Sequence, residues 1–255
     1  MMSERDDMNI TAYLERINYH GATEPSAATL RDLHRAHLLA VPFENLDIHL
    51  GREIVLDDER LYAKVVERRR GGFCYELNGA FAALLSELGF NVKKLAAGVG
   101  RADGSFGPLF DHMALLVELD EPWLADVGFG EGFREPLRLD EESEQAQAFG
   151  SYRVRQDGEH HILEQRAGDR WLPEYRFTLQ AYEYGDYQEM CRYHQTSPRS
   201  SFTQKRTCSL ATADGRVTLT NNRLITTRGG QRHERELADE LEIAAILREQ
   251  FGVVL

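Results

Sequence analysis

The sequence predicts an α+β fold in which helices come first, strands follow, and the end mixes the two. Two changes of pattern carry that expectation. Up to about residue 90 the apolar residues recur at helical spacing; from about Asn91 they gather into short runs bounded by Gly, Pro and Asp. Further on, a Ser/Thr/Pro-rich stretch, two more strand patterns and a last amphipathic helix complete the chain.

In the first part, Tyr13, Leu14 and Ile17 form one apolar face. Leu30, Leu33, His34, His37 and Leu38 form another, with Thr29 read as the N-cap. Leu61, Val65 and Val66 mark a third helix that runs into Arg68-Arg69-Arg70. The clearest helix follows Cys74: Leu77, Ala80, Phe81, Leu84, Leu85 and Leu88 keep to one face, and Gly89 ends it as a C′ glycine.

In the second part, 92–99, 112–119 and 123–127 read as strands. The segments 152–155 and 161–165 flank Gln156-Asp157-Gly158-Glu159, a hairpin signal built on Asp-Gly. Segments 170–172 and 175–179 continue the β pattern. Residues 187–193 read as a short helix, and 196–201 as a linker or binding loop. Strands over 207–212 and 216–220 flank an Ala213-Asp214-Gly215 turn, and Leu237, Leu241, Ile243, Ala244, Ile246 and Leu247 mark the final helix.

Charge and cysteine usage narrow the class. Thirty Lys plus Arg against 42 Asp plus Glu leave a net charge of −12, which argues against nucleic acid as the main partner. No apolar run reaches the ~18–20 residues of a bilayer span, and the polar start Met1–Asp7 lacks the apolar core of a secretory signal. Cys74, Cys191 and Cys208 share no Cys-x-x-Cys spacing, so neither a disulfide framework nor a metal cluster is expected. A cytoplasmic, reducing location fits these features.

Cys74 stands at the junction of Arg70-Gly71-Gly72-Phe73 and the best helix. A thiol at a helix N-terminus near a cation is expected to titrate below the ordinary value of about 8.5. Two glycines would let the backbone approach a ligand, and nearby amides would hold an oxyanion. A small buried residue at the start of a core helix is the competing reading. Cys191 and Cys208 lack such surroundings and are read as structural.

A nucleophilic thiol needs a base, and the base an orienting group. Among the histidines, His20, His34, His37 and His49 fall on helix faces or loops, where a structural histidine is expected, His160 and His161 follow a turn, and His233 lies in a charged stretch. His112 instead opens an apolar strand, and Asp126 closes the next one. Each, if buried, needs the partner that the other supplies. Strand parity makes the pairing testable. In an antiparallel hairpin, opposed residues have a constant sum of numbers, and residues share a face only when parities agree. His112 and Asp126 sum to 238, so a two-residue turn at Asp120-Glu121, giving 241, would separate them. A three-residue loop at Leu119-Asp120-Glu121 gives 240 and makes Asp126 the diagonal neighbour of His112. The expectation is therefore an odd-length loop, or a bulge that restores parity, with Asp126 hydrogen-bonded to His112.

Taken together, Val41-Pro42-Phe43-Glu44-Asn45-Leu46, Arg70-Gly71-Gly72-Phe73-Cys74-Tyr75-Glu76, the His112 strand and Asp126-Val127-Gly128-Phe129-Gly130 resemble the arylamine N-acetyltransferases. The resemblance spans nearly the whole chain and is strongest over 41–130. It implies an N-terminal helical bundle carrying the nucleophile (1–90), a central β-barrel carrying His and Asp (91–190) and a C-terminal α/β lid (191–255), with a cysteine-protease-like triad. It implies two-step transfer: acetyl-coenzyme A acylates Cys74, then an arylamine or arylhydrazine takes the acetyl group, with His112 as base and Asp126 holding its tautomer. It further implies substrate contacts at Phe43, Gly128 and Phe129, and a structural role for Arg70 docked on Glu44 and Asn45. Lys93, Lys94, Arg199, Lys205 and Arg206 are candidates for the coenzyme phosphates. An amide synthase using a carrier-bound thioester, a thiol hydrolase and a non-enzymatic binding domain remain as alternatives, separated by the fate of the acyl group.

Overall fold

The computed structural model describes residues 8–255; the polar start read over 1–7 lies outside the described residues. In chain order the elements are α1 (Ile10–Arg16), α2 (Ala27–Ala40), β1 (Phe43–Glu44), α3 (Leu46–His49), α4 (Asp58–Tyr62) and α5 (Cys74–Glu87). There follow β2 (Asn91–Val99), β3 (His112–Glu118), β4 (Pro122–Ala125), β5 (Leu137–Arg138), β6 (Gln145–Gln147), β7 (Gly150–Asp157), β8 (His160–Ala167) and β9 (Arg170–Tyr182). Last come α6 (Tyr184–Thr196), α7 (Ser201–Gln204), β10 (Thr207–Thr212), β11 (Gly215–Thr220), β12 (Arg223–Arg228), β13 (Gln231–Glu236) and α8 (Glu240–Phe251).

The helical part packs around α5, whose Leu77, Phe81, Leu84 and Leu85 are fully buried. It meets Tyr13 and Ile17 of the first helical segment and Leu30 and Leu33 of α2 in one core. The N-cap of α2 is Ser26, three residues before the expected Thr29: its hydroxyl accepts the Thr29 amide, as a cap serves the N3 position. The third helix runs on into a π turn over Ala63–Glu67, where the Arg68 amide reaches back to the Ala63 carbonyl. Buried Arg16 donates to the Val65, Ala40, Arg69 and Arg70 carbonyls, so one guanidinium gathers the open carbonyls of two helix ends.

Eight antiparallel strands form one sheet in the order β5-β4-β3-β2-β9-β8-β7-β6, and β5 curls round to meet β7. Both faces of its central strands are covered. Met113, Leu115, Val117, Trp123 and Ala125 pack against the helices, whereas Ala114, Leu116 and Leu124 point into the barrel with Leu95, Tyr152, Leu163, Tyr175 and Phe177. Double burial explains why 112–119 and 123–127 read as unbroken apolar runs. The segments at 170–172 and 175–179 form a single strand, β9, in which a register shift opposite Leu163/Glu164 interrupts the pattern.

A five-stranded sheet, β1-β10-β11-β12-β13, closes over α8 with Leu46, Cys208, Leu219, Ile246 and Phe251 in its core. Leu241, expected on the apolar face of the last helix, is exposed, because Asp239 caps α8 and the buried face runs through Ile243, Ile246 and Leu247. The β12–β13 hairpin was not evident from apolar periodicity, since β13 is exposed along its whole length. Its one local signal is the Gly229-Gly230 turn, with φ of 53° and 79°. The charged residues of β13 guard that open edge.

Candidate functional site

Cys74 is the first residue of α5 and is buried, with 3% of its surface exposed. Glu76 fixes that start: one carboxylate oxygen accepts the Phe73 amide at 3.1 Å and the other receives Lys64 Nζ at 2.7 Å. The glycines before it serve internal packing and not a ligand. A Cβ at Gly71 would lie 1.8 Å from the Pro42 carbonyl oxygen, and one at Gly72 would strike the Glu76 side chain.

Burial pushes the Cys74 thiol well above its ordinary value, against the expected lowering; a backbone hydrogen bond from Met113 opposes this only in part. The anticipated cation is turned elsewhere. Arg70 Nε donates to Glu44 at 2.9 Å, and a terminal guanidinium nitrogen makes ion-pair contacts with Glu44 at 2.7 Å and Asp47 at 3.1 Å. Lys64 joins the same buried network through Asp47 and Glu76, each at 2.7 Å. Asn45 takes no part in it: its amide donates to the Phe202 and Lys205 carbonyls and accepts the Thr207 amide, tying the first signature to α7 and β10.

The loop between β3 and β4 is Leu119-Asp120-Glu121, and the paired residues Leu115–Ala125, Leu116–Leu124 and Glu118–Pro122 all sum to 240. Parity therefore places His112 and Asp126 on the barrel-side face. His112 Nε2 lies 2.7 Å from Asp126 Oδ2, with both residues 2% exposed. The strand ends at Ala125, so Asp126 and Val127 are loop residues and not strand residues as expected. Asp126 Oδ1 accepts the Asn78 amide at 2.8 Å and the Gly128 backbone amide at 2.9 Å. Burial works against the carboxylate, but His112 and these donors outweigh it and hold Asp126 below the ordinary range.

Aromatic rings enclose the imidazole: Phe129 edge-on at 5.0 Å and Tyr175 at 5.1 Å. Tyr175 lies beside Asp126 without a well-aligned hydrogen bond, and burial, then the Asp126 charge, keeps its hydroxyl protonated. Phe43 is half-buried and faces Phe202 at 6.2 Å; Phe73 packs edge-on against both Phe202 at 5.5 Å and Tyr75 at 5.0 Å. Gly128 offers no room for a substrate, contrary to expectation: a Cβ there would come within 2.8 Å of both Cys74 Cα and Asn78 Nδ2. Its role is to let the Asp126 loop lie directly on the start of α5.

Two site residues escaped the sequence reading. Asn78, one turn beyond Cys74, donates also to the Met113 carbonyl at 2.6 Å and accepts the Val127 amide at 2.9 Å. His34, read as merely structural, accepts the Asp126 amide on Nε2 at 3.1 Å and, as the Nδ1–H tautomer, donates to the Arg134 carbonyl at 3.0 Å. The signal for Asn78 was its i+4 position on the Cys74 face; for His34 there was none beyond burial.

Among the coenzyme candidates, Lys93 pairs with Glu118, Lys94 with Glu183 and Arg206 with Glu240. Arg199 and Lys205, on either side of α7, have no ion-pair partner among the described residues. A cavity of about 580 Å³ between residues 51–56 and α6 reaches Cys191 but none of Cys74, His112 and Asp126.

The family model for N-acetyltransferases matches residues 26–255. The arylamine N-acetyltransferase of Escherichia coli is 39% identical over 245 residues, covering 94% of this chain and 87% of its own. The solved structure of the arylamine N-acetyltransferase from Salmonella typhimurium is similar with a TM-score of 0.90 at 36% identity, covering 96% of this chain and 90% of its own. That of Mycobacterium marinum in complex with CoA has a TM-score of 0.89 at 35% identity, covering 96% and 93%.

Proposed function

Since this chain belongs to the arylamine N-acetyltransferase family, we propose that it moves an acetyl group from acetyl-coenzyme A to an arylamine or arylhydrazine through a thioester on Cys74. The observation that carries the reading is the buried His112–Asp126 pair at 2.7 Å, laid against the N-terminus of α5 by the Gly128 contact.

Asp126 occupies Nε2 of His112, which leaves Nδ1 to take the proton of the Cys74 thiol. A lone thiolate is disfavoured at so buried a position. Transfer of its proton to His112 creates instead a thiolate–imidazolium pair whose positive partner is already neutralised by Asp126. The sulfur attacks the thioester carbonyl, and the Cys74 and Tyr75 amides, which come before the first intrahelical bonds of α5, stabilise the oxyanion. As the tetrahedral adduct collapses, the C–S bond to coenzyme A breaks and the leaving thiolate takes the proton from His112. The amine nitrogen then attacks the Cys74 thioester, gives up its proton to His112, and expels the Cys74 sulfur, which recovers that proton.

Phe43, Phe129 and Phe202 supply flat apolar surface suited to an aromatic acceptor. Arg199 and Lys205 are the cations best placed to meet the phosphates of coenzyme A, since the other candidates are already paired.

Intact-mass analysis after exposure to acetyl-coenzyme A is expected to show one added acetyl group on Cys74, absent from Cys74→Ala, with ping-pong kinetics in the presence of an arylamine. Label on Cys191 or Cys208, or intersecting initial-rate lines, overturns the proposal.

A further inference from the structure

A second His–carboxylate pair lies beside the first. His194, near the end of α6, is 5% exposed, with Nδ1 3.1 Å from Ser200 Oγ and Nε2 3.2 Å from Asp111 Oδ1. Asp111 immediately precedes His112. Ser200 is 2% exposed and caps α7, its oxygen accepting the Phe202 amide at 3.2 Å. A hydrogen on Nδ1 alone would aim a bare Nε2 lone pair at the Asp111 carboxylate, so the hydrogen is assigned to Nε2, facing Asp111, and the Ser200 hydroxyl donates to Nδ1. One tautomer thus serves the whole chain of contacts from Asp111 to the Phe202 amide. The Nε2 contact is an ion-pair contact off the hydrogen-bond line, and Nε2 has no other partner among the described residues.

The rings around His194 link both halves of the site. Phe202 meets it edge-on at 5.0 Å, and Tyr75, which follows Cys74, lies at 6.1 Å. Tyr75 donates to the Phe110 carbonyl at 2.6 Å, holding Phe110 at φ 69°, a conformation a bulky residue rarely adopts. The root of β3, the start of α5 and α7 therefore converge on one imidazole. Phe202 in turn packs on Phe73 at 5.5 Å and Phe43 at 6.2 Å.

We propose that His194 and Asp111 act as a positioning pair which, through Ser200, sets the place of Phe202 on the acceptor side of the Cys74 thioester; this rests on the reading of Cys74 as the acetyl carrier. At saturating acetyl-coenzyme A, where a shift of Arg199 and Lys205 beside α7 no longer limits the rate, the pair works on acceptor binding more than on acylation, because Phe202 offers its ring to an aromatic acceptor whereas Cys74 receives only a small acetyl group. Glutamine can imitate these contacts, with an oxygen for Ser200 and an N–H for Asp111; phenylalanine keeps the ring and loses both contacts.

The test uses the full chain with His194→Phe, His194→Gln, Asp111→Ala and the double variant Asp111→Ala/His194→Phe. In His194→Phe, KM for an arylhydrazine is expected to rise about tenfold with kcat within about twofold, and the double variant to be no worse than the poorer single variant, as members of one unit are non-additive. His194→Gln restores KM. Amide hydrogen exchange over residues 197–206 is expected to quicken in His194→Phe and not in His194→Gln. Unchanged exchange over this segment in a folded His194→Phe overturns the proposal, as does an equal loss in the rate of Cys74 acetylation and in acceptor KM. If the unsubstituted chain takes no acetyl group on Cys74, the thioester reading fails. The exchange measurement then still decides whether the pair positions α7.

Discussion

Asn78 Nδ2 lies 2.8 Å from Asp126 Oδ1 and 2.6 Å from the Met113 carbonyl oxygen, so one buried amide on α5 holds the loop that carries Asp126 and the strand that carries His112 at once. Its oxygen takes the Val127 amide as well. Without it the Met113 carbonyl and the Val127 amide lose this partner in a place that water does not reach, while Asp126 Oδ1 keeps only the Gly128 amide. Leaving a buried polar group unpaired costs about 1–3 kcal/mol. Asn78→Leu is expected to lower the melting temperature markedly and to slow acetyl transfer in the molecules that remain folded. Wild-type stability and rate in that variant would show that the three bonds position nothing.

Asp126→Asn tests the orientation of His112. Asparagine keeps an acceptor for Asn78 and the Gly128 amide, so the fold is expected to survive. Its amide hydrogens face His112 Nε2, forcing the proton onto Nδ1 and leaving no base for Cys74. A loss in kcat of about 10³–10⁴-fold is expected, as for other triads whose acid is replaced by its amide. Circular dichroism with single-turnover acetylation of Cys74 separates this from unfolding; a variant that acetylates at the normal rate would remove Asp126 from the mechanism.

Arg70 concerns stability. Its guanidinium is 4% exposed and serves both Glu44 and Asp47. Burial works against its charge, but Glu44 and Asp47 overcome this and hold Arg70 above its ordinary value. Removing one member of a buried ion pair costs roughly 3–5 kcal/mol, because the other charge stays behind. Arg70→Gln is expected to lose that much in urea unfolding while keeping most of its rate per folded molecule. An unfolding midpoint close to wild type would end this reading.

His34 carries a pH dependence. Burial pushes it down from its ordinary 6.5 to about 4, with the Arg134 carbonyl opposing. Between those values the unfolded chain binds a proton that the folded chain does not, so stability falls as the pH drops from about 6.5 towards 4. The whole effect amounts to about 3 kcal/mol. His37, also held well below 6.5 by burial, acts in the same direction. Asp47 and Asp126, held below their ordinary 3.8, lose their contribution only at more acid pH. Melting temperatures from pH 4 to 7 are expected to fall less steeply on acidification in His34→Gln than in the wild type; identical slopes would acquit His34.

Elements whose burial follows a simple period were legible from the chain alone. The face of α5 and its Gly89 stop follow from one helix packing one side on a core. The Leu119-Asp120-Glu121 loop follows from a stricter rule, because side chains in a strand alternate and only an odd loop lets His112 and Asp126 share a face. The β12–β13 hairpin was not legible, since a strand that buries nothing leaves no apolar period behind.

Local sequence, then, determined the helix that presents Cys74 and the register that joins His112 to Asp126, and the family resemblance pointed to the docking of Arg70 on Glu44. Tertiary structure alone decided the rest. Asn45 anchors α7 and not Arg70, the glycines before Cys74 admit Pro42 and Glu76 and not a ligand, and His34 meets Asp126 across 92 positions of sequence. It also decided that burial raises the Cys74 thiol where a helix N-terminus was expected to lower it. Periodicity reports which side of an element is dry. Which buried polar group satisfies which other, and how far water is excluded from a charge, depend on elements remote in the chain, and only their packing sets them.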